Sequence, residues 1–403
     1  MTPQRLNILF VLTPALHPNE GGVQMTTCKL GRRFSEQGHR VSVFSFAQSG
    51  HSQGEPMDLF HAKHGAGQRD AKNLQELSTT ISEVKPDVVI NQMPYEHEIG
   101  ATLLREKAIW GFLLLGCLRN TLFSVKGNLE AYVSSLAPWP LKRLAASRLV
   151  QRPFLEAHRK RHRADLVKIL STYDRFVMFG PPNLEELRYF VPEFAPDKVC
   201  LIPNSIPQVL EKVPEKEKRL LWLGRVSHEQ KNAELIIPLW RAISSRLPDW
   251  EFDVVGDGPL LMELKKQARN LGLERIHFYG RQVPDPYYRR SAIFVMTSSF
   301  EGFPNVLVEA QSFAAIPVLF DSYPVASWIV DEGINGFLVP AGDLDAMIER
   351  IVQVALNPER ERIAGQVLES ARRFTIDRVG EQWQELFNKE VPNHIGGERR
   401  LTV

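Results

Sequence analysis

The chain alternates short apolar runs with longer stretches of helical periodicity along almost its whole length. The apolar runs are residues 7–13, 40–46, 87–91, 109–118, 175–179, 220–223, 252–255, 276–279, 293–296 and 317–320. Strands that are apolar on consecutive residues are buried on both faces, which is typical of parallel sheets whose strands are joined by helices. Because such crossovers are right-handed, this order predicts an α/β fold made of doubly wound domains.

Length and a charged break predict two domains. The 403 residues suffice for about two to three domains of roughly 150 residues each. Residues 208–219 are charged and lack apolar periodicity, so we interpret them as a linker. We assign residues 1–207 to an N-terminal domain, 208–374 to a C-terminal domain, and 375–403 to a last helix with a frayed tail. The cleft between two such domains is the expected ligand site.

Composition excludes several classes of protein. The 49 Lys and Arg residues nearly balance 47 Asp and Glu, so net charge gives no support to nucleic-acid binding. Cys28, Cys117 and Cys200 are too far apart for a disulfide framework or a CxxC zinc site, and fit a reducing compartment. No run reaches the roughly 18–20 apolar residues of a membrane span, and the longest, 108–118, is interpreted as a buried strand. We therefore expect a cytoplasmic protein.

The stretch SSFEGFPNVLVEA, residues 298–310, is the most informative motif. Pro304 suits the first position of a helix, whose positive end favours an anion. The three amides expected to point outward belong to Asn305, Val306 and Leu307. Glu301 and Glu309 lie eight residues apart, roughly 12 Å along a helix, so they could bind hydroxyl groups at both ends of a nucleotide sugar. The alternative is an ordinary helix start with Glu301 as a capping acid and Glu309 on a solvated face.

The stretch LLWLGRVSHEQKN, residues 220–232, places two cations after a strand. Gly224 would allow close approach of a ligand, and Arg225 and Lys231 follow it where doubly wound folds bind ligands. Both could bind a diphosphate, or they could be ordinary surface cations. The glycine loops at Gly21-Gly22 and at Gly256 also follow strands. Neither is a dinucleotide fingerprint, and each alone is typical of a tight turn.

Taken in order, these motifs resemble the retaining glycosyltransferases of the large GT-B family that includes sucrose synthase and bacterial mannosyltransferases, known as family 4. The resemblance spans nearly the whole chain and rests on six segments. They are GGVQMTTCKLGRRFSEQGHRVSVFSF, VCLIPNSIP, LLWLGRVSHEQKN, GDGP, EGFPNVLVEA and WIVDEGINGFLVPAGD. It implies two facing Rossmann-like domains with an interdomain cleft, the donor held mainly by the second domain, and a last helix that crosses back to the first.

The resemblance also implies roles for individual residues. Arg225 and Lys231 would bind the donor diphosphate, Glu309 the ribose hydroxyls and Glu301 the transferred sugar. The remaining implied substrate-binding positions are Gly21, Gly22, Gly256 and the amides of Asn305, Val306 and Leu307. Because retaining members are thought to pass the acceptor's proton to the departing phosphate, we assign no protein base. We also expect no metal, because the histidines form no HExxH motif or ligand cluster. Asp343 and Asp345 form the only Asp-x-Asp match, which we interpret as helix capping.

One departure from the family concerns the acceptor. Many relatives carry a His after the last apolar strand of the first domain, where this chain has Arg119 and Asn120. We keep both as candidate substrate-binding residues. The replacement of the His by Arg119 puts in question how the acceptor is bound.

Residues 141–163 are strongly basic, with eight Lys and Arg against one Glu. One interpretation is docking to the anionic inner face of a membrane to reach a lipid-linked acceptor. The other is a solvated or cleft-facing pair of helices broken at Pro153.

The resemblance thus implies transfer of a sugar, with retention, from a nucleotide diphosphate sugar to a saccharide or lipid-linked saccharide, in bacterial surface polysaccharide or glycoconjugate synthesis. The alternatives are a nucleotide-sugar 2-epimerase on the same fold, or a catalytically silent nucleotide-sugar-binding subunit.

Overall fold

A computed structural model describes residues 5–16, 21–47, 56–63, 67–127, 129, 147–228 and 230–395. The chain divides into two compact units. Unit 1 comprises Met1–Arg119, Ala157–Pro207 and Ile376–Val403, and unit 2 comprises Asn120–Glu156 and Gln208–Thr375. Each unit is built around one parallel sheet.

The strands are β1 (Asn7–Leu12), β2 (Arg40–Ser45), β3 (Asp58–His61), β4 (Val88–Asn91), β5 (Leu113–Cys117), β6 (Arg175–Met178), β7 (Val199–Leu201), β8 (Glu217–Leu223), β9 (Glu251–Val255), β10 (Ile276–Gly280), β11 (Ser291–Met296), β12 (Ile316–Asp321) and β13 (Phe337–Pro340). The helices are α1 (Gly22–Glu36), α2 (Ala71–Val84), α3 (His97–Trp110), α4 (Ser124–Gly127), α5 (Arg148–Thr172), α6 (Pro181–Phe190), α7 (Ile236–Ile243), α8 (Leu261–Asn270), α9 (Asp285–Arg290), α10 (Asn305–Ser312), α11 (Ala326–Ile329), α12 (Leu344–Leu356), α13 (Arg360–Ala371) and α14 (Ile376–Ile395).

The sheet of unit 1 has the order β3-β2-β1-β4-β5-β6-β7. Its central strands are buried along consecutive residues, as the apolar runs predict. The last helix, α14, joins this core, where the rings of Trp383 and Phe387 lie 6.0 and 5.3 Å from that of Phe34.

The sheet of unit 2 has the order β10-β9-β8-β11-β12-β13. The chain runs outward from β8 to β10 and then returns to β11, which pairs with β8. The carboxyl ends of β8 and β11 therefore flank the point where the winding reverses. Ligands of open α/β sheets bind at such a switch point, so the topology by itself selects the loops after β8 and β11.

Three local predictions are wrong. Residues 208–219 do not form a free linker, because Val209, Leu210 and Val213 pack on the core of unit 2 and β8 begins at Glu217. The apolar run at 108–118 is not one strand, because Gly111 ends α3 in the left-handed region at φ 68° before β5 begins.

The third concerns Pro153, which lies inside the continuous helix α5 and does not separate two helices. Residues 141–146 of the basic segment and the tail at 396–403 lie outside the described residues.

Among the helices that the structure describes, none is both long enough and apolar enough to cross a membrane.

Candidate functional site

Hydrogen bonds join the loop after β8 to the loop after β11. The Ser299 amide donates to the Gln230 carbonyl at 2.8 Å. The Asn232 side chain donates to the Thr297 carbonyl at 2.9 Å and to the Ser299 hydroxyl at 2.7 Å. Asn232 adopts a left-handed conformation, φ 47°, which Asn tolerates better than most residues. These hydrogen bonds thus fix the position of the two loops relative to each other.

A second chain of bonds fixes the backbone of Lys231. The buried Trp222 indole donates to the Thr297 hydroxyl at 3.0 Å, and that hydroxyl donates to the Lys231 carbonyl at 2.7 Å. Because Trp222 is part of the core of unit 2, the position of Lys231 is tied to a rigid element, as precise binding sites require.

The side chains of Lys231 and Glu301 form an ion pair at the switch point. Lys231 Nζ lies 2.5 Å from Glu301 Oε1, and the two side chains are 15% and 9% exposed. Gln230 Nε2 donates to Glu301 Oε2 at 3.0 Å and also to the Phe300 carbonyl at 3.1 Å. Each carboxylate oxygen of Glu301 therefore accepts one hydrogen bond and keeps a lone pair for a further donor. Gln230 is a site residue that no motif marks.

Arg225 follows Gly224 in the same loop and is exposed. Within the described part of the chain, its guanidinium makes no hydrogen bond or ion pair. A cation exposed beside a strand end is available to a soluble anion.

Gly256, in the loop after β9, is required by packing. A Cβ on Gly256 would lie 1.8 Å from the Gly224 carbonyl oxygen, and Gly256 has φ 138°. The Val226 amide donates to the Asp257 carbonyl at 2.9 Å. The loops after β8 and β9 therefore lie backbone against backbone, which explains Gly256 without a ligand.

The start of α10 differs from the prediction. Pro304 is the residue before the helix, and the helix begins at Asn305. The Asn305 amide donates to the Phe303 carbonyl, and the Leu307 amide to the Pro304 carbonyl, both at 2.9 Å. The expectation of three outward amides is wrong for these two, because a tight turn at Pro304 uses them. Of the three, Val306 alone has an amide that makes no hydrogen bond to the described residues.

Glu309 lies in the second turn of α10 and is half-buried. It accepts a hydrogen bond from the buried Tyr288 hydroxyl at 3.3 Å. Burial raises the pKa of Tyr288 well above its ordinary value, and the Glu309 carboxylate adds to the rise. Tyr288 therefore stays a neutral donor that orients Glu309.

The candidates of unit 1 occupy the ends of its own strands and helices. Gly21 precedes α1 with φ 67°, and Gly22 is the first residue of that helix. Arg119 follows β5 and donates to the Gln92 side-chain oxygen and, at 3.2 Å, to that of Asn204. Burial lowers the pKa of Arg119. The substrate-binding roles of Gly21, Gly22 and Arg119 stay predictions.

Asn120 lies in unit 2, against the loop after β11. A Cβ on Gly302 would be 2.7 Å from Asn120 Cα. Gly302 thus admits the backbone of Asn120 next to Glu301, a contact that the motif spacing did not reveal.

No group of three or more His, Cys, Asp or Glu side chains within the described ranges is placed to hold a metal ion.

The loops after β8 and β11 lie in a region that matches a known protein family. Residues 208–367 match the family model "Glycosyl transferases group 1". These residues include both loops of the switch point. The matched region therefore carries Arg225, Lys231, Glu301 and Glu309.

Two relatives are similar over somewhat less than half of this chain. An uncharacterized glycosyltransferase of Haemophilus influenzae is 25% identical over 45% of this chain and 52% of its own length. A Campylobacter jejuni enzyme is 27% identical over 44% of this chain and 50% of its own. Its name is GalNAc-alpha-(1->4)-GalNAc-alpha-(1->3)-diNAcBac-PP-undecaprenol alpha-1,4-N-acetyl-D-galactosaminyltransferase. The chain thus spans about half the length of these curated relatives.

Among solved structures, Anabaena HepE in complex with UDP-glucose superposes with a TM-score of 0.69 over 94% of this chain and 99% of that one, at 17% identity. Such low identity is evidence for the fold alone. The prediction of a GT-B fold with two parallel α/β domains is confirmed.

Proposed function

We propose that this protein is a family 4, retaining glycosyltransferase. It transfers a sugar from a nucleotide diphosphate sugar to a saccharide or lipid-linked saccharide in bacterial surface polysaccharide or glycoconjugate synthesis. The observation that supports this most strongly is the Lys231–Glu301 pair at the switch point of unit 2, within the residues that match the glycosyltransferase family model.

The residues of the pair suit the two halves of a sugar-phosphate bond. Glu301 accepts hydrogen bonds from hydroxyls of the transferred sugar. Lys231 and the exposed Arg225 bind the diphosphate, on which negative charge accumulates as the bond breaks. Since both cations lie in the loop after β8, they stabilise that charge without a metal ion.

Glu309 binds the ribose hydroxyls, with Tyr288 holding its carboxylate in place. The Val306 amide lies at the N-terminal, positive end of α10 and has no partner within the helix. It contacts the distal phosphate. In the retaining reaction the acceptor oxygen attacks from the face that the phosphate leaves, and the departing phosphate takes the acceptor's proton. The anomeric configuration is then preserved.

The relatives suggest which substrates to test first. The HepE complex contains UDP-glucose, and the Campylobacter relative is named for an undecaprenol-linked saccharide. We propose a UDP-sugar donor and an acceptor of this general kind. Residues 141–163 would bring the protein to the anionic inner face of the membrane. In the described part of that segment, Arg152, Lys160 and Arg161 are exposed on α5.

The test combines nucleotide binding with donor hydrolysis. UDP-, GDP- and ADP-sugars are screened by thermal shift, because a ligand at about 100 times its Kd stabilises the folded state by about 2.7 kcal/mol. The donor that binds is then incubated alone, and NMR identifies the anomer of the released sugar. We expect retention and no loss of rate in EDTA. Absence of any nucleotide-induced shift would contradict the proposed activity, and release of the inverted anomer would contradict retention.

A further inference from the structure

Unit 2 contains a cavity that borders the loop carrying Glu301. Strand order places the loops after β8, β11 and β12 side by side. Lys231 lies in the first of these loops and Glu301 in the second. The cavity of about 360 Å³ is bounded by the second and third, together with the segment after Asn120. Its lining residues are Thr121, Phe123, Phe300, Asp321, Ser322, Tyr323 and Pro324.

The walls of the cavity are held by hydrogen bonds. The Ser322 hydroxyl donates to the Ser298 carbonyl at 2.6 Å, which ties the loop after β12 to the loop after β11. The buried Tyr323 hydroxyl lies 3.5 Å from Met296 Sδ. Gly302, the residue after Glu301, leaves room for the backbone of Asn120, which precedes the lining residue Thr121. The Phe123 amide donates to the Thr121 hydroxyl at 3.1 Å, which shapes that wall.

The cavity adjoins the proposed reaction site. Phe300 lines it and is the residue before Glu301. Burial raises the pKa of Tyr323 well above its ordinary value, and the Glu301 and Asp321 carboxylates add to the rise. The Glu301 carboxylate therefore acts electrostatically on a residue that lines the cavity.

The lining chemistry suits a neutral sugar ring. Three aromatic rings and Pro324 present apolar faces, and the described residues of the lining include no Lys, Arg or His. Among these residues a diphosphate would find no cation. Asp321 is exposed and makes no side-chain hydrogen bond or ion pair within the described residues, so its carboxylate can accept from hydroxyls. The volume lies at the small end of ligand pockets, about 300–1,000 Å³, which favours one ring over an oligosaccharide.

We infer that this cavity binds the terminal sugar ring of an uncharged saccharide acceptor, so that donor diphosphate and acceptor lie on opposite sides of Glu301. The inference rests on the proposed function. It adds to unit 2 an acceptor subsite that lies outside the motifs proposed to bind the donor.

The test measures binding of simple glycosides to the full chain by saturation-transfer-difference NMR. The probes are methyl α-D-glucopyranoside, methyl α-D-galactopyranoside and methyl N-acetyl-α-D-glucosaminide at about 50 mM, enough to occupy a site of millimolar Kd. We expect at least one to bind the wild type. Its signal should fall at least fivefold in Asp321→Asn and in Phe123→Ala, and persist in the control Asp345→Asn, an exposed acid of α12.

Competition separates the two substrates. Saturating UDP and saturating UDP-glucose should both leave the glycoside signal in place. Displacement by UDP-glucose but not by UDP would mean that the cavity holds the donor's sugar, and would overturn the inference. So would the absence of glycoside binding in a protein that binds UDP. A protein that binds glycosides but no nucleotide would instead overturn the proposed function.

Discussion

The Lys231–Glu301 pair predicts a strong coupling between two residues that are 70 positions apart in the chain. The perturbations are Lys231→Met and Glu301→Gln, alone and together, which keep side-chain volume while removing one or both charges. Removing one partner of a buried pair leaves an uncompensated charge, at a cost of about 3–5 kcal/mol. Since the two side chains are still 15% and 9% exposed, water reaches them in part, and we expect about 3 kcal/mol for each single variant.

The double variant leaves no unpaired charge. It should recover at least about 2 kcal/mol relative to the summed effects of the single variants. A chain of two units does not unfold in one step, so the assay is native-state hydrogen exchange on peptides covering β8 and β11. The matched control is Lys212→Met, which removes an exposed cation and should change stability by less than about 0.5 kcal/mol.

Turnover separates the structural role of the pair from its catalytic role. The double variant, although stable, should lose at least about 100-fold in kcat, as does removal of a preorganised charge-stabilising group. Additive stability effects would refute the claim that the ion pair is buried and coupled. A stable double variant with full activity would refute the site assignment.

Three further predictions concern neighbouring elements. A Cβ on Gly256 would collide with the Gly224 carbonyl at 1.8 Å, so Gly256→Ala should destabilise unit 2 by at least about 2 kcal/mol. Gly365 lies in a helix, and a Cβ there meets nothing within 4 Å, so Gly365→Ala should stabilise unit 2 by up to about 1 kcal/mol. Equal amide hydrogen-exchange rates in Gly256→Ala and Gly365→Ala would contradict both expectations. Tyr288→Phe removes the bond to Glu309 and should weaken UDP binding about fivefold, near 1 kcal/mol, by calorimetry, whereas unchanged affinity would remove Tyr288 from the site. Lys216 donates to the carbonyls of Tyr288, Arg289 and Phe313, and burial lowers its pKa from 10.5 to about 7. The folded state then binds fewer protons than the unfolded state between these two pH values, so the free energy of unfolding should rise from pH 7 to 9. The rise should be smaller in Lys216→Met, and equal pH profiles would refute it.

Much of the fold follows from periodicity alone, because buried parallel strands must be apolar on both faces. The runs that became β1, β2, β8, β11 and β12 are all of this kind. Strands β3, β7 and β13 were not predicted. They are short and lie at sheet edges, and most of their residues are only partly buried or exposed, so no continuous apolar run marks them.

By itself, the sequence determined which residue types could serve a nucleotide sugar: Glu301 and Glu309 at their spacing, and the cations Arg225 and Lys231 after a strand. Tertiary structure alone decided that Lys231 meets Glu301, because the return of the chain from β10 to β11 brings two distant strand ends together. It also decided that the turn at Pro304 consumes two of three expected amides. Local sequence patterns reflect propensity and burial, whereas contacts between distant loops depend on the spatial order of the strands in the sheet.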